Sequence, residues 1–441
     1  MTAGYRWLYL FCLVFAGELI FSLPFHITRF FRPTFLEVFG FSNAELGDVF
    51  AVYGVLALLA YFPGGAIADH FSARKLMSLS LVATAAGGVM MAQVPGFWVM
   101  AMLFGYWGLT TILLFWAALI KVTREWGGAI KQGSAFGILD GGRGFIAAMT
   151  ASVAVWLLAI LLPADLETLA PAEREYALQS VIYFYSFMTL LAALLVWLII
   201  ADHKTNAEER VPVWLGMTTV IKKPVVWLQA IIIICAYSAY KALDNYGLYA
   251  QVAFNMNELE AAEFVKNGAY LRPVAAIITG FIVDRFVASR IIVIFFAILA
   301  VSYALLGFAS VPGFAIVYLY TNIIITFVTV FGIRGVYFAL IEETKIKGNI
   351  TGTAVGLISV IGFTPEIYFA SIAGRLIDAA PGIAGHQHVF LMLAGFAVVG
   401  ILATVFLAKI KKNNTGDPAL RIKGDEMKQV SGPVKDWDLR V

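Results

Sequence analysis

Charge is what this chain has least of. Asp, Glu, Lys and Arg together make up 13% of its 441 residues, while 61% are hydrophobic. An ordinary soluble domain carries about 25% charged and about 45–50% apolar residues. A chain this long and this apolar cannot cover itself with a polar surface, so lipid is the solvent that fits it. Cysteine is nearly absent. Cys12 and Cys235 both lie inside apolar runs, which excludes a disulfide framework and a cysteine zinc site. The five histidines (His26, His70, His203, His386 and His388) form no ligand cluster at helical spacing. His386-x-His388 reads as a solvated loop pair. No nucleophile–base arrangement or phosphate-binding loop stands out either; the glycines near residue 140 lack the strand that such a loop requires. The net charge of +3 gives no footing for nucleic acid. These absences predict no enzyme, no metal, no cofactor and no nucleic-acid partner.

What is present is hydrophobicity in lengths that match a bilayer. A spanning helix needs roughly 20 mostly apolar residues. Such runs fall at about 7–28, 45–69, 75–93, 97–121, 133–162, 179–201, 225–250, 265–285, 290–309, 313–340, 352–377 and 387–408, twelve in all. The first carries Glu18 and lacks a small-residue cleavage site, so it reads as an uncleaved span. Connections such as Val94-Pro95-Gly96 and Ser310-Val311-Pro312 are so short that the helices they join must be antiparallel neighbours.

The loops orient the chain. With the N-terminus inside, sixteen basic residues fall on the cytoplasmic side. Five fall outside: Arg29, Arg32, Arg174, Lys266 and Arg375. The positive-inside rule therefore predicts a multi-pass protein of the plasma (inner) membrane with both termini cytoplasmic. Residues 202–224 are the longest polar interruption and read as a cytoplasmic linker, with a short amphipathic piece around Trp214. The predicted organisation is a bundle of six spans over 1–201, the linker over 202–224, a second bundle over 225–408, and a flexible cytoplasmic tail over 409–441.

The two bundles repeat each other. Gly65-Ala66-Ile67-Ala68-Asp69 closes span 2, and Gly280-Phe281-Ile282-Val283-Asp284 closes span 8, 215 positions later. Gly133-Ser134-Ala135-Phe136-Gly137 opens span 5, and Gly352-Thr353-Ala354-Val355-Gly356 opens span 11. Ala118-Leu119-Ile120 and Ala339-Leu340-Ile341 close spans 4 and 10. Three matches at nearly one offset, with equal in/out topology, indicate a parallel duplication, an architecture found among secondary transporters.

Six plus six spans, a mid-chain cytoplasmic linker and Gly-x-x-x-Asp followed by basic residues after span 2 together resemble the major facilitator superfamily. The resemblance covers residues 1 to about 408. Gly65, Asp69, Arg74 and Lys75 match its signature after span 2; His70, Ser72 and Ala73 depart from it. Span 4 lacks the arginine of the family's proton-coupled drug antiporters. Gly137, Gly141 and Gly142 in span 5 have no proline beside them. Where the organophosphate exchangers carry arginines in spans 1 and 7, this chain has Glu18 and Lys241. The resemblance thus names no subfamily. It implies an all-α membrane fold of two pseudo-symmetric six-helix bundles, with a substrate cavity lined by spans 1, 4, 7 and 10 and helped by 2, 5, 8 and 11.

A physical argument gives the repeated element a role. Asp69 falls at the cytoplasmic end of span 2, on the same side as the start of span 11 at Thr351-Gly352. A carboxylate near a helix N-terminus gains roughly 0.3–1 kcal/mol. Asp69 with Arg74, and Asp284 with Arg285 against the start of span 5, are candidate inside latches between the halves.

Ionisable groups at membrane depth are expensive and mark pathways. Here they are Glu18, Asp140, Arg143, Lys241, Asp244, Arg272, Arg334 and Glu366, every one on a span that the resemblance assigns to the cavity. Asp140 and Arg143 are three apart on one helical face, as are Lys241 and Asp244, so each pair is either a local ion pair or a pair of ligands. Lys241, Arg143, Arg334 and Asp244, with Tyr237 and Tyr240, are the candidate substrate-binding residues. Glu18 and Glu366 have no basic partner in their own helices. With Asp140 they are the candidate proton carriers, because a lone buried carboxylate binds protons more readily; the alternative is that Glu18 and Glu366 pair with Lys241, Arg143 or Arg334 of another helix. Three basic residues at the centre point to a small polar, anionic organic solute moved by alternating access and coupled to protons, by a protein acting as a monomer in the bilayer. A transporter-like sensor signalling to a partner protein is the alternative.

Overall fold

The computed structural model describes residues 3–127, 132–162, 170–201, 220–308, 316–340, 348–380 and 382–415. The linker residues 202–219, including Trp214, and the tail beyond Thr415 lie outside the described residues. The described residues are helical. Nine helices among them are long and apolar enough to cross a membrane, or ten when a bent pair counts as one span. Two further spans complete the twelve. One is Ala73–Met91, and the other is Glu258–Ala269 continued by Leu271–Arg285. The last helix runs from Ile383 to Thr415, so the first residues of the predicted flexible tail continue span 12 instead.

Packing repeats between the halves. In the first, span 1 (Ala3–Leu19) lies on span 5 (Gln132–Leu161) and span 6 (Pro171–Ile199). Span 2 (Asn43–His70) lies on span 4 from Phe97, and span 3 (Ala73–Met91) on span 6. In the second, span 7 (Pro224–Ala242) lies on spans 11 and 12, span 8 on span 10 (Ile316–Val336), and span 9 (Ala288–Phe308) on span 12. The duplication seen in sequence is therefore a duplication of contacts. The halves meet where span 2 packs along Pro365–Ala379 of span 11, and where span 5 packs along span 8. Apolar side chains such as Trp98, Trp156, Phe187, Leu198, Phe281 and Val317 are more than 60% exposed around the bundle, the surface that lipid covers.

Several spans break, and each break has a local cause. Span 1 turns by 46° after Leu19, through a wide turn over Ser22–His26 that contains Pro24, and continues as Ile27–Phe30. Proline removes one helical donor, which releases the ladder there. Span 7 tightens at Leu243–Asn245 before Tyr246–Phe254. Span 8 is interrupted at Tyr270, just before Arg272 and Pro273. Span 11 stops at Gly362 and restarts at Pro365, with Glu366 in the first turn of the new segment.

Candidate functional site

The breaks bring charge to the centre. A cavity lies between the halves. Its walls come from spans 1, 2, 4, 5, 7, 8, 10 and 11, the eight that the resemblance implied. Along span 2 the lining runs from Tyr53 to Tyr61, and along span 11 from Ser359 to Ile367. Both stretches lie away from the end of the molecule that holds Asn43 and Asp378.

One cluster forms around Glu18. Its Oε2 lies 3.1 Å from Arg143 Nε, and its Oε1 lies 3.5 Å from Arg272 Nη1. His26 Nε2 and Glu18 Oε1 hydrogen-bond at 3.2 Å. Arg272 also donates to Asp140 Oδ1 at 3.2 Å, so this span 8 guanidinium joins two carboxylates of the other half. Arg272 reaches them past Gly144, where a Cβ would stand 2.9 Å from its Cδ. Of the two readings of Asp140 and Arg143, the local ion pair along span 5 gives way to pairings with other helices. Three residues apart fixes only the face; span 8 and span 1 supply nearer partners.

A second cluster forms around Lys241, which is 2% exposed. Its Nζ lies 3.1 Å from Asp244 Oδ2 and 3.0 Å from Glu366 Oε1, and 4.7 Å from the ring centres of both Phe25 and Phe50. Asp244 also accepts a hydrogen bond from Arg29 Nε, and Glu366 accepts one from the Tyr237 hydroxyl. Arg29 Nη1 donates to the Tyr240 hydroxyl at 3.0 Å. Arg29, placed outside by the loop count, is half-buried in the cavity wall, because span 1 continues past its bend to Phe30. Arg32 is buried, not in an outer loop.

Arg334 stands apart. Its Cζ lies 3.9 Å from the centre of the Tyr240 ring, and its Nη1 is buried without a hydrogen bond. Among the described residues it is the cavity cation with no carboxylate within ion-pair distance. Arg143 is stacked too, 5.4 Å from the Phe21 ring and 5.6 Å from Trp116.

The structure therefore brings together Glu18, Asp140, Arg143, Tyr237, Tyr240, Lys241, Asp244, Arg334 and Glu366. His26, Arg29 and Arg272 join them; the sequence places Arg272 at membrane depth without a role and leaves His26 and Arg29 out of the site. Pro24 and Pro273 sit beside them, and ionisable residues next to a proline inside an apolar run are the signal that could have found them. The candidate inside latches fall largely beyond description. The side chains of Asp69 and Asp284, and those at the starts of spans 5 and 11, lie outside the described residues. Arg74 stacks on Trp197 of span 6 at 4.9 Å, and Arg285 is exposed at the end of span 8. His386 is buried near the start of span 12, against the ring of Tyr249 at 5.5 Å, and is no solvated loop residue. Span 12 begins at Ile383, so both histidines belong to its first turns.

Two half-bundles around a charged central cavity define a secondary transporter. The sequence profile of the Major Facilitator Superfamily matches residues 14–365, and the chain belongs to that family. It is 28% identical to the inner membrane protein YqcE of Escherichia coli K12, over 94% of this chain and 97% of that one. It is 27% identical to the inner membrane protein YihN of the same organism, over 93% and 97%. Among solved structures, a bacterial homologue of the human lysosomal transporter Spinster superposes with a TM-score of 0.74 at 14% identity, covering 95% of this chain and all of that one. The nucleoside transporter NupG superposes with a TM-score of 0.71 at 16% identity, covering 93% and 100%. At these identities the two structures share the fold.

Proposed function

We propose that this transporter carries a small anionic organic solute, bound between Arg334 and Arg143, and that protons drive it. The observation that carries the reading is Arg334, a half-buried cavity residue whose Nη1 is buried without a hydrogen bond and which has no carboxylate within ion-pair distance among the described residues. Five basic groups (Arg29, Arg143, Lys241, Arg272 and Arg334) face or flank the cavity, against four acids, Glu18, Asp140, Asp244 and Glu366. A buried charge is stable only when matched. An anionic solute supplies the missing match. The guanidinium fork suits a carboxylate or phosphate, which it grips through two parallel hydrogen bonds. A concave, largely apolar cavity with a few convergent charged groups suits a small organic molecule, and Trp116, Phe21 and Phe363 give its apolar part a surface.

Lys241 lines the cavity but already holds two carboxylates, so in this reading it organises Glu366 and Asp244 and contacts solute second. Glu366 is the better placed proton carrier. It faces the cavity, and one cation and one hydroxyl hold it. Glu18 is gripped by three basic side chains. A proton arriving on Glu366 would loosen its tie to Lys241 and with it the link between spans 7 and 11. The protein works as a monomer, in an inner membrane with both termini cytoplasmic, which makes the sealed Asn43 end the outer one.

A thermal-shift screen of the purified protein against anionic, neutral and cationic metabolites tests the reading. A ligand at 100 times its Kd adds about 2.7 kcal/mol of stability. Stabilisation confined to anions is expected; stabilisation by cations or neutral solutes alone would overturn it.

A further inference from the structure

The two ends of spans 2 and 11 that pack together carry a device that the sequence did not reveal. Asp378, in the last turn of span 11, reaches across to the first turn of span 2 in the other half. Its Oδ1 accepts hydrogen bonds from the Asn43 backbone N–H at 3.2 Å and from Asn43 Nδ2 at 3.0 Å. Its Oδ2 accepts from the Ala44 backbone N–H at 2.7 Å. A helix begins with four N–H groups that have no partner inside it. In span 2, Ser42 caps the third by accepting from the Glu45 N–H, while Glu45 returns a bond to the Ser42 N–H. The Leu46 N–H donates to the Ser42 carbonyl. The first two N–H groups, those of Asn43 and Ala44, find their acceptor in the opposite half.

The surroundings reinforce this contact. Asn43 Oδ1 accepts from Arg32 at 3.0 and 3.3 Å, so the outer extension of span 1 holds the same point. Along the seam the helix backbones touch. A Cβ on Gly374 would stand 2.2 Å from the Asn43 carbonyl oxygen, and one on Gly47 would stand 2.5 Å from the Ala370 carbonyl oxygen. Arg375 donates to both oxygens of Asp48 at 2.8 and 2.9 Å, but that pair is largely exposed, and exposed pairs contribute little.

We infer that Asp378 is a latch that holds this end of the transporter shut by capping span 2 from the opposite half, and that its release accompanies opening there. The inference stands on the helix contacts and needs neither the solute class nor the proton coupling proposed above. Span 2 carries the candidate latch Asp69 at its other end, so neutralising the two carboxylates should bias the protein in opposite directions.

The test needs no substrate. Spin labels are placed at Gln93 and Phe308, which are exposed at the same end of opposite halves, after Cys12 and Cys235 are changed to serine. Distances are then measured in lipid nanodiscs. The unaltered latch should give one dominant distance. Asp378→Ala should add a longer one, raising its population roughly three- to ten-fold, the range of a lost helix cap. Asp48→Ala should change it less than two-fold. An unchanged distribution in Asp378→Ala overturns the inference. A lowered melting temperature without a new distance overturns it as well, because Asp378 would then be merely structural.

Discussion

The guanidinium carbon of Arg334 lies over the ring of Tyr240, 3.9 Å from its centre, while the hydroxyl of that ring accepts a hydrogen bond from Arg29. One tyrosine thus aims a guanidinium of span 10 and is itself held by span 1. Contact with the ring positions the guanidinium before any solute arrives, and a preorganised fork loses less freedom on binding. Arg334→Lys keeps the charge and loses the plane. Hydrogen bonds to charged groups contribute about 1.5–3 kcal/mol. The affinity for an anionic solute should therefore fall roughly 10- to 100-fold, measured by titration of the purified protein. Equal affinity in the lysine variant would remove the fork from the account.

Glu366 and Glu18 should separate in their effects. Glu366→Gln retains a group that can accept from Tyr237 but cannot take up and release a proton. Exchange of solute across proteoliposomes should continue, while acceleration by an imposed pH gradient disappears. Glu18→Gln leaves Arg143 and Arg272 without their shared counter-charge. Breaking a buried pair costs about 3–5 kcal/mol, so that variant should lose thermal stability. If Glu366→Gln still responds to the gradient, the proton passes elsewhere.

Gly374→Ala should strain the closed end. Its new methyl would meet the Asn43 backbone, which has no side-chain freedom with which to yield. The seam should part, and a cysteine placed at Tyr53 should react with a membrane-impermeant reagent from the outer side at least several-fold faster. Protection equal to that of the parent would show that the seam absorbs the methyl.

Asp69→Asn should act at the other end. If Asp69 latches span 2 to the start of span 11, its neutral form should open the cytoplasmic side and leave solute affinity within a few-fold. Labels at the cytoplasmic ends of the halves would report this as a longer distance. A shift towards outer opening would contradict the assignment.

Much of the architecture was legible because lipid imposes it. Runs of apolar length, short loops and a repeated Gly-x-x-x-Asp element determine the spans and their doubling with little help from tertiary packing. The ionisable residues of the site were legible too, since nothing but function or pairing keeps Glu18 or Lys241 at that depth. Their partners were legible only in part: Lys241 does pair with Asp244, Lys241 with Glu366 and Arg143 with Glu18, each an alternative the sequence offered. Asp140 bonds Arg272 of span 8, not Arg143 one turn away, because partner choice depends on how helices far apart in sequence approach. Arg29 was misplaced because the apolar run stops at about residue 28, one position short of it; span 1 bends near Pro24 and goes on through Phe30. The cap of Asp378 on Asn43, 335 residues distant, leaves no trace in local pattern at all.

The central claim is that Arg334 receives the negative charge of the solute. The direct measurement is uptake into proteoliposomes of the anion that best stabilises the protein, beside an uncharged analogue of the same shape, for the parent and for Arg334→Ala. The account predicts that the parent takes up the anion at least tenfold faster than the analogue, and that Arg334→Ala loses this preference. Anion uptake unchanged in Arg334→Ala, or equal uptake of both solutes by the parent, would contradict it.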